Sequence, residues 1–247
     1  MAENGVIFDF LCSKYPLDTA AEFDNPGFLV GDKKDTVKKA LVCLDCDITA
    51  VKKAAETGAG LIVTHHPVIY DPLKSVTAGS VVYEAIKNGI SVISMHTNLD
   101  IADGGVNDCL CSALELNNVK PYVAHDGFIL RSGELDSDVD SFAKLISKNL
   151  GYSVRYTGKG KIKRLLICSG SGCDYMDEAI ENGFDGLVAA DSKQRHFIKA
   201  INTGFSLFDC GHFASENVVV KPLCDLLNKQ FGDVEFTPYS HELIKFA

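Results

Sequence analysis

His65 and His66 stand side by side in VTHHP, and two further histidines are each followed four residues on by a carboxylate, His96 by Asp100 and His212 by Glu216. Such an interval is about one helical turn, so each pair can present both groups on one face. Neighbouring strand residues point to opposite sides, so His65 and His66 are expected to serve two adjacent ions rather than to chelate one. Imidazole mixed with carboxylate suits zinc, iron, manganese or cobalt, whereas calcium and magnesium prefer oxygen throughout. The expectation is therefore two divalent metal ions per chain, held by His65, His66, Asp100, His212 and Glu216, with the identity of the metal open. His96 has two readings, direct ligation or orientation of a ligand through its other ring nitrogen.

These residues sit where an α/β fold places chemistry. KALVCLDCD, ITAVKKAAETGAG and LIVTHHPVI read as strand, amphipathic helix and buried strand, a βαβ unit. A right-handed crossover makes the strands parallel and brings His65 and His66 to the carboxyl edge of the sheet. SVVYEAIKNGISVISMHTNLD adds a helix and a strand, after which His96 and Asp100 follow. The same grammar recurs in KRLLICSGSG, DYMDEAIENGFDG, LVAADS, RHFIKAINTG and FSLFDCGHFASE. Gly60-Leu-Ile-Val-Thr-His aligns with Gly186-Leu-Val-Ala-Ala-Asp, which sets His65 against Asp191, and His96 falls beside Gly211 and His212. The expected architecture is α/β: one domain over 1–247 made of two similar lobes, about 1–125 and 126–247. Each lobe is a mostly parallel sheet flanked by helices, and the dinuclear metal site is expected between them. The stretch 101–162 is expected to complete the sheets, with helices near Val106–Leu116 and Asp138–Leu150 and strands in FILRSGEL and YSVRYTG. The tail HELIKFA alternates and is expected to add a strand.

Composition narrows the classes. A net charge of −9 disfavours nucleic acid, because a phosphate backbone meets repulsion. No apolar run approaches the ~18 residues of a membrane span, and no cleavable leader is visible, so a cytoplasmic location is expected. Nine cysteines are an odd number and several lie in strand-like runs, so they read as reduced, buried thiols, including the pair Cys43 and Cys46. Asp47 reads as a helix N-cap. Asp45, and Glu22, Asp24 and Asp32 in AEFDNPGFLVGD, are candidates for lining the site. SGSG at Ser169–Gly172 reads as a tight turn between strand and helix ahead of a phosphate loop, since the lysine of a P-loop is missing. His125, His196 and His241 lie outside the repeated pattern.

DNPGFLVGD, VTHHP, HTNLDIADGGVND, RSGEL and GHFASE, in this order over nearly the whole chain, resemble the NGG-interacting-factor-three-like family, also known as type 2 homologues of GTP cyclohydrolase I. The resemblance implies a dinuclear metal centre on His65, His66, Asp100, His212 and Glu216, with Glu216 bridging, and a homohexamer of dimers. It also implies a hydrolase acting on a nucleotide or another phosphate-containing small molecule, with GTP cyclohydrolase-like activity as its most specific form. In such a reaction the ions activate water and polarise the scissile centre, and a neighbouring side chain moves the proton. His96, Asp191 and His196 are the candidates for that proton transfer. AADSKQRHFIKA departs from the histidine-rich helix start of relatives, so Arg195 or His196 would take the place of that histidine. The competing expectation is a non-catalytic metal-binding protein: an oligomeric scaffold, a metal carrier or a regulatory protein that binds a partner.

Overall fold

The computed structural model describes residues 1–242 and 244. It contains two compact units, residues 1–102 with 220–247, and residues 103–219.

In the first unit, the strands Lys39–Cys43, Leu61–Thr64 and Ser91–Ser94 run parallel, joined by the helices Ile48–Thr57 and Val81–Lys87. Glu235–Tyr239 pairs parallel with Lys39–Cys43 on one side of this trio, and Gly27–Val30 pairs antiparallel with Ser91–Ser94 on the other. Leu61–Thr64 and Ser91–Ser94 are buried at every residue, the pattern of central parallel strands covered on both faces. One apolar cluster gathers Leu41, Cys43, Ala50, Val51, Ala54, Ile62, Ala85 and Val92, so the Ile48–Thr57 helix is anchored by the alanine and valine stripe of ITAVKKAAET. Asp47 caps that helix, accepting from the Ala50 amide at 2.7 Å, and Gly58 closes it in the left-handed region.

The second unit repeats the order. Lys161–Ile167, Gly186–Ala189 and Ser206–Asp209 are parallel and are joined by the helices Met176–Glu181 and Gln194–Thr203. Ile129–Asp138 flanks them antiparallel on one side and Arg155–Thr157 on the other, and Asn117–Val123 lies outermost against Ile129–Asp138. Helix Val139–Leu150 lies where the sequence predicts one, and Asp138, expected as its first residue, is its cap. Its Phe142 meets Phe208 edge to face at 5.0 Å between ring centres.

The units are divided differently from the sequence halves 1–125 and 126–247. Helix Val220–Gln230 and strand Glu235–Tyr239 return to the first unit, where the strand takes the free edge of Lys39–Cys43. Helix Val106–Ala113 belongs to the second, where Leu110, Cys111 and Leu114 enter the cluster around Phe142 and Ile167. The strand expected in the tail 241–247 falls largely outside the described residues. No helix among the described residues is long and apolar enough to cross a membrane. All nine cysteines are free. Burial, with Asp47 and Asp45 nearby, pushes the Cys46 thiol up to about 12, so the C-x-x-C pair is an inert part of the core and not a thiolate centre.

Asp47→Ala removes one cap and is expected to lower unfolding stability in denaturant by about 0.5–2 kcal/mol. The same loss is expected for Asp138→Ala, and neither change should alter metal content.

Candidate metal-binding residues

The backbone ladder of each unit runs on past its strands, and the candidate donors hang from these extensions. In the first unit the His65 amide donates to the Cys43 carbonyl, His66 to Leu44 and Met95 to Thr64. The chain leaves the pleat there, and the two adjacent rings converge, with centres 4.9 Å apart. That corrects the expectation that they point to opposite sides, since alternation holds only while the strand conformation lasts. His96 joins them, its ring 5.0 Å from His65 and 5.5 Å from His66. Each of the three offers a ring nitrogen within 4.8 Å of the others.

The tautomers follow from the partners of Nδ1. His65 Nδ1 lies 2.8 Å from the Met95 carbonyl, which can only accept, so the proton is on Nδ1 and Nε2 is the nitrogen that could take an ion. His65 Nε2 faces the buried Asp100 carboxylate at 3.5 Å. His66 Nδ1 meets Asp45 at 2.7 Å and His96 Nδ1 meets Asp24 at 2.7 Å. Burial would raise the pKa of Asp24, but hydrogen bonds from His96 and from the Thr97 hydroxyl and amide outweigh it and hold the carboxyl at about 2. Asp24 is therefore an anion that fixes His96 as it is fixed itself. Carboxylate or carbonyl on one imidazole nitrogen with the other turned outward is how metal-binding histidines are oriented.

In the second unit the carboxyl ends of the parallel strands carry Gly170, Asp191 and His212. His212 Nδ1 contacts Asp191 at 2.7 Å and its Nε2 contacts Glu216 at 3.0 Å, across the first turn of the short helix His212–Glu216. Burial disfavours an imidazolium there, yet Glu216 and Asp191 overcome it and raise His212 to about 9. At neutral pH a positive charge thus occupies the niche between two carboxylates, one of them buried, and a metal ion would replace the Nε2 proton. Gly170, at φ +61°, makes room: a Cβ there would stand 2.2 Å from Glu216 Oε1. Its amide donates to Ser215 Oγ, and the Ser169 amide donates to the buried Asn107 side chain. Asp191 has φ +54°, a conformation that aspartate tolerates, and also accepts from Ser171.

A model of the family Duf34/NIF3 (NGG1p interacting factor 3) matches residues 3–242. The chain belongs to this family. Among its relatives, a "GTP cyclohydrolase 1 type 2 homolog" of Clostridium perfringens is 34% identical over 236 residues, covering 90% of both chains. A "NIF3-like protein 1" of Drosophila melanogaster is 28% identical and covers 88% of this chain and 79% of its own. The crystal structure of Staphylococcus aureus protein SA1388 superposes with a TM-score of 0.91 at 25% identity, covering 100% of this chain and 99% of that one. Reduced HcgD from Methanocaldococcus jannaschii does so at 0.83 and 28%, covering 96% and 97%. The mixed α/β fold of the Duf34/NIF3 proteins is thus the fold of this chain.

Of the residues singled out in the sequence, His65, His66, His96 and Asp100 come together in the first unit, and Asp191, His212 and Glu216 in the second. His196 does not join them by any hydrogen bond among the described residues. Its Nδ1 accepts from the Lys193 amide at 3.2 Å at the start of helix Gln194–Thr203, and it lines a cleft of about 260 Å³ with Asp174, Asp177, Arg195 and Lys199. Asp24 and Asp45, read in the sequence only as lining residues, turn out to orient His96 and His66. Asp209 had no sequence signal: buried at the end of its strand, it accepts from the Ser192 and Gly211 amides at 2.9 and 3.1 Å and from Arg155.

Two outcomes follow. Gly170→Ala should displace Glu216 and lower metal affinity at least ~10-fold in a competition titration, with some loss of stability from the left-handed backbone. His212 has its pKa raised on folding, so in metal-free protein its contribution to stability is complete below pH ~6.5 and disappears as pH rises through about 9. The stability gap between wild type and His212→Ala in urea should therefore be widest near pH ~6 and close by pH ~10.

Proposed function

We propose that this protein holds two divalent cations on His65, His66, Asp100, His212 and Glu216, with Glu216 bridging, and uses them to hydrolyse a nucleotide or another small phosphate compound. The observation that carries the reading is the uniform treatment of the imidazoles: His65, His66, His96 and His212 each have Nδ1 engaged by a carbonyl or carboxylate. Three imidazoles with two carboxylates are a donor set for zinc, iron, manganese or cobalt. When bound, two such ions bring water into the range where hydroxide forms at neutral pH and polarise an electrophile beside it.

The chain's own residues do the rest. Asp45 and Asp24 keep His66 and His96 in the tautomer that turns Nε2 toward a ligand, and Gly170 keeps the Glu216 carboxylate from being pushed aside. Asp191 is half-buried, and its carboxyl is depressed: burial opposes this, but Ser171 and His212 outweigh it. It is thus ionised at neutral pH and fixes His212 through Nδ1, while His96 is the proton-transfer candidate in the first unit. The name shared by the bacterial relatives supports cyclohydrolase action on GTP as the specific form of this reading. The homohexamer and the cytoplasmic setting belong to the same proposal.

The test begins with elemental mass spectrometry on protein purified without chelator. About two ions per chain are expected, with loss of at least one in His65→Ala and in Glu216→Ala. Metal-loaded protein is then offered GTP and other phosphate compounds. Chelator-sensitive turnover supports the hydrolase. Two ions with no turnover on any of these compounds would instead favour the metal carrier or scaffold, and no uptake at all would overturn the reading.

A further inference from the structure

We infer that Arg131 is a positioning residue for Glu216, acting through Asn107, Ser169 and Gly170. Its consequence for an ion rests on the proposed function, but the contacts all lie inside the second unit, residues 103–219, and can be tested without metal.

Arg131 is 1% exposed and is the largest fully buried side chain among the described residues. Fold stability alone does not call for it. Desolvating a guanidinium is expensive, and apolar residues of similar volume often pack as well or better. What the arginine adds is geometry. Its Nε and Nη2 donate to the two oxygens of Asp108, a fork that fixes the carboxylate in its plane, and Nη2 also reaches Asp103 at 3.3 Å. Asp108 in turn accepts from the Gly104 amide at 2.7 Å, with Gly104 at φ +72°. One guanidinium therefore closes both ends of the turn 103–108.

Asn107 belongs to that turn. It is fully buried, and its Oδ1 accepts from the Ser169 amide at 2.8 Å. Arg131 stands opposite Ile167 in the sheet, two positions before Ser169, so backbone pairing and side-chain clamp converge on the same strand end. Gly170 comes next. Its carbonyl accepts from the Ala190 amide at 2.7 Å, its own amide donates to Ser215 Oγ at 3.1 Å, and its missing Cβ leaves the space beside Glu216 Oε1. The strip 169–170 is thus held by Asn107, Ala190 and Ser215, and it walls the Glu216 carboxylate. Losing Asn107 removes an acceptor from a buried amide, a change the backbone relieves by shifting, and the wall beside Glu216 shifts with it. DGGVND and RSGEL, which lie outside the proposed ligand set, acquire a shared role in this way.

The test is a double-mutant cycle on the full-length chain. Arg131→Met fills the space without the fork, and Asn107→Leu removes the acceptor. In metal-free protein each should speed exchange of the Ser169 amide at least ~10-fold relative to the Leu166 amide in the strand interior. Each should also weaken zinc binding at least ~10-fold in a competition titration, and the two together should weaken it no further than Asn107→Leu alone. Asp138→Ala, a destabilised variant of the same unit, should change neither quantity. Arg131→Lys, which keeps the charge but not the fork, takes the place of Arg131→Met if that variant does not fold. Unchanged zinc affinity in a folded Arg131 variant, or losses that multiply in the double variant, overturns the inference and leaves the metal reading intact. Unchanged relative exchange of Ser169 overturns it as well. Wild type that takes up no zinc defeats the metal reading, and the Ser169 exchange then still upholds or overturns the link from Arg131 to the wall beside Glu216.

Discussion

The second nitrogen of each imidazole is the constraint on which the candidate metal site depends. A histidine becomes a dependable ligand only when its other nitrogen is committed, because the tautomer and ring plane are otherwise unset. Here the commitment is made by a backbone carbonyl for His65 and by carboxylates for His66, His96 and His212. Asp24 shows how far the protein goes to keep one of these anionic. It is buried, which alone would favour the neutral acid, yet three hydrogen bonds hold it ionised.

Those partners are placed by the parallel sheets. In both units the pairing continues one or two residues past the regular strands, through the amides of His65, His66 and Met95 in one and of Cys168, Ala190 and Cys210 in the other. Side chains at the carboxyl edge are thus carried on backbone that is still hydrogen-bonded, and not on free loops. The middle residues of these strands are buried and apolar, so the donor groups fall at the carboxyl edge. Gly170 and Gly211 act at that edge through what they lack. A Cβ on Gly170 would meet Glu216, and one on Gly211 would meet the Tyr152 ring at 2.2 Å.

Much of this was legible in the residues. LIVT, SVIS, GLVA and SLFD each have apolar residues at their centre and polar groups after them, and they form the central parallel strands, while Asp47 and Asp138 cap the helices the periodicity predicts. Asn117–Val123 was not legible, because an outermost strand needs no apolar alternation; NNVKPYV is mostly exposed and carries a proline. The return of helix Val220–Gln230 and strand Glu235–Tyr239 to the first unit depends on a pairing with Lys39–Cys43 almost 200 positions away, which no local pattern encodes. The same holds for the site. The donors show in short motifs, but the partners of His96 and His66 lie 72 and 21 positions away, and the convergence of His65 with His66 arises only where the strand ends.

Anomalous diffraction from crystals grown with zinc, recorded on both sides of the absorption edge, tests the central claim most directly. The account predicts two peaks per chain, about 3.5–4 Å apart and about 2.0–2.2 Å from Nε2 of His65, His66 and His212 and from the carboxylates of Asp100 and Glu216. Zinc bound elsewhere, or through Nδ1 with Asp24, Asp45 and Asp191 displaced, would contradict it.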